Sequence, residues 1–172
     1  LPRRSYRAEL ERLADAGDLI PVQIDDWKEP AYVHRSLDAL LPAAAADTLR
    51  STVTTLLSPF DPVVWDRRRA STLFGFDYTI ECYTPEHKRR YGYFCLPVLH
   101  RGRLVGRVDA KAHRTRGTFE LKAVHVEPGV RFGAGLAADV AKAVKKLAAW
   151  HGTPEVTVAH APPALVQAFA RT

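Results

Sequence analysis

Residues 91–126 read YGYFCLPVLHRGRLVGRVDAKAHRTRGTFELKAVHV. Three runs rich in apolar, β-branched and aromatic residues, 91–99, 103–113 and 118–126, are separated by two compact turns. These are His100-Arg101-Gly102-Arg103 and Thr115-Arg116-Gly117-Thr118. Short glycine-bearing turns join antiparallel neighbours, so the stretch predicts a three-stranded meander. Arg107, Asp109 and Lys111 alternate with Val108 and Ala110, the pattern of a strand with one wet face. Pro97 cannot donate to a ladder, which predicts a bulge or an edge there.

Working upstream, DYTIECY (77–83) alternates and reads as a further strand. Asp66 can cap a helix over 67–74 that stops at Gly75. TVTTLLS (52–58) reads as a buried strand from its β-branched content. Residues 36–50 hold a short helix and the connection LPAAAAD, which marks an internal boundary. Before it, LIPVQI (19–24) and AYVH (31–34) read as two short strands. Residues 5–16 read as a helix, with Ser5 as cap, Leu10, Leu13 and Ala14 at helical spacing, and Gly17 at the end. Downstream, Leu136, Val140, Ala143, Val144 and Leu147 form one apolar stripe on a helix, with Lys142, Lys145 and Lys146 away from it. EVTVA (155–159) is a short strand, and Pro162-Pro163 opens a last helix carrying Leu165, Val166 and Phe169.

The 172 residues suffice for one sizeable core plus a small appendage. A hydrophobic content of 47% with 26% charged residues is that of an ordinary soluble globular protein. No apolar run approaches membrane-spanning length, so no membrane partner is expected. Leu1 opens the chain and Met is absent from it, which predicts a piece of a longer protein. Cys82 and Cys95 are too few for a disulfide framework; reduced core thiols and a cytoplasmic setting are expected.

The net charge of +6 is unevenly spread. Residues 1–50 carry 7 basic and 9 acidic side chains, whereas residues 61–116 carry 12 basic and 6 acidic. A positive field focused on one module favours an anionic partner, with nucleic acid the commonest, although it also serves solubility. Two basic triplets, Arg67-Arg68-Arg69 and Lys88-Arg89-Arg90, stand among rings at Trp65, Phe74, Phe76, Tyr78, Tyr83, Tyr91 and Tyr93. Cations beside flat rings suit a polyanion with stackable bases, or equally a charged rim around an aromatic core. Arginines opening a helix oppose its dipole. A bound phosphate would compensate, and so would ion pairs to Asp61 and Asp66. Arg101 and Arg103 at one hairpin tip, and Arg114 and Arg116 near another, can reach phosphates or simply face water.

The histidines, from His34 to His160, are scattered without metal-ligand spacing, and no metal or cofactor is expected. A Cys–His nucleophile involving Cys82 or Cys95 would need the fold to assemble it. AVHVEPGVRFGAG (123–135) runs from a strand through glycines into a helix. It is similar to the cofactor loop of GNAT-type acetyltransferases, but Arg131 stands at the wrong interval from Gly133 and Gly135. An acyl-CoA-dependent activity is therefore a lesser alternative.

SPFDPVVWDRRR (58–69), FGFDYTIECYTPEHKRRYGY (74–93) and LPVLHRGRLVGRVDAKAHR (96–114) carry a more specific likeness. The chain resembles the C-terminal half of a bacterial family of winged-helix DNA-binding proteins that includes crosslink-repair DNA glycosylases. The resemblance implies an α+β chain. Residues 1–45 would be the tail of a winged-helix unit and its connector. Residues 46–172 would be a mostly antiparallel, barrel-like β domain with flanking helices. It implies duplex DNA as partner, contacted through the backbone, together with N-terminal winged-helix domains of the same parent chain. The parent's activity would be hydrolysis of an N-glycosidic bond at a crosslinked or bulky alkylated base.

The DNA-contacting set is expected to be Arg67, Arg68, Arg69, Lys88, Arg89, Arg90, Arg101, Arg103 and Lys111. Phe74, Phe76 and Tyr78 are then expected in the core. The family's catalytic signature is a Gln, an apolar residue and Asp or Gln. Gln23-Ile24-Asp25 spells it, but DWKEPAYVH follows in place of the family's Arg-Ala-His-His element. No catalytic role is carried onto it, and the piece is expected to bind rather than cut. A non-enzymatic DNA-binding regulator on the same scaffold is the alternative.

Overall fold

The structure is a computed structural model. It describes residues 3–25 and 27–171, and side chains from residue 6 onward, residue 26 excepted. The chain forms two compact units, residues 1–50 and 51–172.

In the first unit, helix α1 spans Arg3–Asp15 and terminates at Gly17, whose φ of 79° suits a residue without Cβ. Leu10, Leu13 and Ala14 supply its half-buried face. The expected Ser5 cap lies outside the described side chains. Strands β1 (Leu19–Val22) and β2 (Ala31–His34) pair antiparallel, from Leu19↔His34 to Val22↔Ala31. β1 stops short of residue 24, because the Gln23 amide turns back to donate to the carbonyls of Ile24 and Trp27 at 3.0 and 2.6 Å. A 3₁₀ turn, Arg35–Leu40, and the short helix α2, Leu41–Ala45, complete the unit.

The second unit holds strands β3 (Thr54–Leu56), β4 (Cys95–His100), β5 (Arg103–His113), β6 (Thr118–Val126) and β7 (Glu155–His160). Its helices are α3 (Pro62–Trp65), α4 (Arg67–Phe74), α5 (Ala134–Trp150) and α6 (Pro163–Ala170). The sheet order is β3-β4-β5-β6-β7. The predicted meander is β4-β5-β6, antiparallel throughout, while β7 returns through α5 to lie parallel to β6. That return corrects the expected barrel. β7 pairs with β6 and β3 with β4, and no ladder joins β7 to β3, so the described sheet is open, with β3 and β7 at its edges. At the β4–β5 turn, Arg101 and Gly102 both take positive φ (49° and 83°), the geometry a two-residue hairpin loop requires.

Two cores flank the sheet. On one face Val98, Val105, Val108, Phe119 and Leu121 meet Ala137, Val140, Ala141, Val144 and Ala148 of α5 and Leu165 of α6. The fully buried stripe of α5 is thus rotated slightly from the expected one, with Leu136 and Leu147 at its margin. Each large apolar side chain buried there contributes about 1.5–3 kcal/mol relative to exposure. On the other face Leu57, Val64, Phe76, Tyr78 and Leu104 form a second cluster, with Phe74 packed at its edge.

Residues 77–83 do not form the expected strand. Their alternation is real, but it comes from burial. Phe76 and Tyr78 point down onto the sheet face, while Asp77 and Thr79 face water. The Tyr78 hydroxyl donates to the Cys95 carbonyl at 2.6 Å. The segment therefore lies over the face instead of extending its edge. Residues 91–94 likewise precede β4 as a loop.

β4 and β5 carry the bulge that Pro97 led us to expect. Pairing passes from Val98↔Gly106 to Leu99↔Leu104, so Val105 has no opposite residue. This extra residue inverts the parity of β5. Leu104 and Arg107, three apart, thereby share one face, and Val105 and Val108 share the other. Gly106 sits where a Cβ would strike the His125 carbonyl, so only glycine fits this point of the β5–β6 ladder.

Candidate nucleic-acid interface

Arg107 is expected on a wet face, and the structure corrects this. It is 1% exposed. Its face of β5 is roofed by the segment carrying Phe76 and by the loop carrying Tyr91. The guanidinium lies 4.5 Å from the Phe76 ring centroid and 4.0 Å from that of Tyr91. Its Nη2 and Nε donate to Glu127 Oε1 at 2.6 and 3.1 Å. A buried guanidinium needs such a partner, because an unpaired charge in this environment is prohibitively desolvated.

The roof is pinned by Glu81. Its carboxylate accepts the backbone N–H groups of Arg90, Tyr91 and Gly92 at 2.9, 2.7 and 3.1 Å. His125 Nε2 donates to the Tyr91 carbonyl at 2.8 Å and meets the Tyr91 ring edge-on. Gly92 adopts φ 142°, and any Cβ there would collide with the Asp109 carboxylate. Partial burial pushes the Glu81 pKa up, but the three backbone donors and Arg107 outweigh it and hold the carboxyl below its ordinary value.

A depressed folded pKa means that the stabilisation is present above the unfolded value and lost as pH falls through the folded one. Urea unfolding of wild type between pH 7 and pH 3 is therefore expected to show an acid-side loss that Glu81→Gln lacks in part. The variant should already be weaker at pH 7. Parallel pH curves would contradict this role for Glu81.

Around this core two clefts adjoin. One, of about 600 Å³, runs from the end of α4 to the start of β5 and the 126–130 segment, and is lined by Asp77, Arg90, Tyr91, Arg103, Arg107 and Glu127 among others. The second, of about 410 Å³, shares Asp77, Arg90, Tyr91 and Arg107 and adds Arg67 and Glu81. Arg67, Arg90 and Arg103 thus converge from three separate segments, all exposed. Among the described residues none of the three makes an ion pair within 4.0 Å.

The other expected contacts are placed differently. Arg68 is exposed on the first turn of α4. Arg69 is turned aside, its guanidinium donating to the Pro62 carbonyl. Lys88 is exposed on a 3₁₀ turn, Glu86–Lys88. Arg89 is half-buried, donating to the Thr84 carbonyl at 2.8 Å and lying 4.9 Å over the Tyr93 ring. Arg101 pairs with Asp139 at 3.1 Å. Lys111 is exposed on β5 opposite Glu120. The alternatives for the first triplet also separate. Asp66 accepts the N–H of Arg69 and Asp61 that of Val63, so both aspartates act as helix caps rather than ion-pair partners of the triplet.

Cys82 and Cys95 are both free thiols. Burial, with the Asp109 and Glu81 charges, pushes the Cys95 thiol up to about 12, which removes its nucleophilic form. No cluster of His, Cys, Asp and Glu among the described residues could hold a metal ion. No described helix is long and apolar enough to cross a membrane. Gln23 of the Gln23-Ile24-Asp25 triplet spends its amide on its own loop, as described above. The 127–133 loop, which is similar to an acyl-CoA loop, leads into α5 with Gly133 as an N-cap that offers no side-chain bond.

Sequence reasoning missed Arg107, Glu81 and Glu127. Nothing in the local pattern marks Arg107, since the residues that roof it lie far away in the chain. A family model described as DNA glycosylase AlkZ-like matches residues 1–150. No solved structure matches the chain.

Proposed function

The chain belongs to the AlkZ-like DNA glycosylase family, and from that premise we propose that it is a duplex-DNA-binding portion of a repair glycosylase. Membership makes DNA the substrate class. The observation that supports a binding role here is the convergence of Arg67, Arg90 and Arg103 on two adjoining clefts without neutralising partners. Unpaired guanidiniums on a rigid frame are suited to phosphate oxygens. Arg68 and Lys88 extend the same basic rim. Arg101, half neutralised by Asp139, and Arg69, Arg89 and Lys111 are assigned weaker contacts.

We assign the first unit to the end of a winged-helix element and place this chain in the C-terminal half of the parent, beside its winged-helix domains. Hydrolysis of the glycosidic bond is assigned elsewhere in the parent. Glu127 is held by Arg107, and the Gln23 amide is committed to loop carbonyls, so neither is free to position an attacking water.

Combined replacement of Arg67, Arg90 and Arg103 by alanine is expected to weaken binding to an undamaged 20-base-pair duplex. It should also flatten the salt dependence by about one unit for each phosphate that is no longer neutralised. Fluorescence anisotropy across a salt series measures both. Unchanged affinity in the triple variant would sink the assignment.

A further inference from the structure

Phe60 and Trp65 are 57% and 64% exposed, unusual for rings this large. Their centroids lie 5.6 Å apart at an interplanar angle of 47°, and Phe94 stands 6.3 Å beyond Phe60. With Pro62, Asp66 and Arg69 they line an open groove of about 660 Å³. The backbone between the two rings is pinned. Ser58 Oγ accepts the Phe60 N–H at 3.2 Å, the Asp61 carboxylate accepts the Val63 N–H at 2.9 Å, and Arg69 clasps the Pro62 carbonyl. The backbone that carries the rings is therefore ordered before binding, which lowers the ordering cost there.

The charge beside them selects the occupant. Arg67 and Arg68 follow Trp65 after a single residue, and both are exposed. Neither has an ion-pair partner among the described residues, because Asp61 and Asp66 are used as caps. An apolar protein segment would leave these cations uncompensated. A polyanion whose repeating unit carries a flat ring satisfies the arginines and the aromatic faces together. Duplex DNA keeps its bases stacked and closed to such rings.

We propose that Phe60 and Trp65 form a stacking site for unpaired nucleotides, with Arg67 and Arg68 on the flanking phosphates. This rests on the DNA-binding reading above and shares Arg67 and Arg68 with it, but adds an aromatic surface outside the two clefts and concerns a different form of DNA. It gives the chain a means of holding bases unpaired beside a lesion.

The test uses the full chain, a fluorescein-labelled 15-mer of thymidine and a 15-base-pair duplex. Trp65→Ala is expected to weaken strand binding about 5- to 150-fold, the range for loss of one stacked base, while duplex affinity stays within about twofold. Trp65→Phe should recover most of the strand affinity. In a Trp27→Phe/Trp150→Phe background, strand binding should quench the remaining Trp65 fluorescence. An unchanged urea midpoint shows that the exposed substitution leaves the fold intact.

Equal strand affinity for wild type and Trp65→Ala would overturn the proposal. So would absent quenching, or a poly-glutamate peptide that competes as well as the strand. If wild type binds the strand in a Trp65-dependent manner but not the duplex, the duplex reading falls and the stacking site stands. If it binds the duplex alone, the reverse holds.

Discussion

Arg107→Ala is expected to destabilise the second unit by about 3–5 kcal/mol, the range for breaking a buried ion pair from one side. The Arg107 side chain is 2% exposed and that of its partner Glu127 is 18% exposed, so the abandoned carboxylate keeps little water. Phe76 and Tyr91 would also lose the cation between them. Removing both charges should behave differently. Arg107→Met with Glu127→Leu fills similar space without an unpaired charge, and is expected to recover most of the loss. Urea unfolding followed by circular dichroism gives all three midpoints. If Arg107→Ala shifts the curve by less than about 1 kcal/mol, the pair is not what holds the roof to β5.

Phe76→Ala is expected to cost a similar amount, about 3–5 kcal/mol. The ring is 1% exposed and stacks on Tyr78 at a centroid distance of 5.9 Å. It also covers Arg107. Deletion leaves a cavity beneath a buried cation, so two costs add. The two substitutions share a contact and should not be additive. The double variant Phe76→Ala/Arg107→Ala is expected to fall short of the summed losses by about 0.5–3 kcal/mol. Strict additivity would mean that the cation and the ring are not energetically coupled.

Much of this arrangement was legible in the chain. β5 and β6 begin and end where the glycine turns predicted, and α4 lies between Asp66 and Gly75 as expected. These signals are local. A positive φ or a capped N–H is decided by two or three neighbouring residues. The position of Arg107 was not legible. The alternation of Val108, Asp109, Ala110 and Lys111 gives the correct parity locally. The bulge at Val105 sets which residues share that face, and the roof from residues 76–92 decides whether it is wet. Both are tertiary facts. The return of β7 beside β6, which leaves the sheet open, is of the same kind.

The basic triplets show an intermediate case. Their charge was evident, but which arginines remain available depended on partners. Arg69 and Arg89 are taken by backbone carbonyls and Arg101 by Asp139, whereas Arg67, Arg90 and Arg103 are left facing the clefts. In the sequence, Trp65 does not stand out from the other rings around the triplets. Burial separates Phe76 and Tyr78 from the exposed rings Trp65, Tyr83 and Tyr93, and of these three only Trp65 packs beside another exposed ring, Phe60.

The most direct measurement of the central claim is the affinity of the wild-type chain for undamaged duplex DNA as a function of salt. With Arg67, Arg68, Arg90 and Arg103 on phosphates, log K against log salt concentration should fall with a slope of about −3 to −4. A slope near zero, or no duplex binding at low salt, would contradict it.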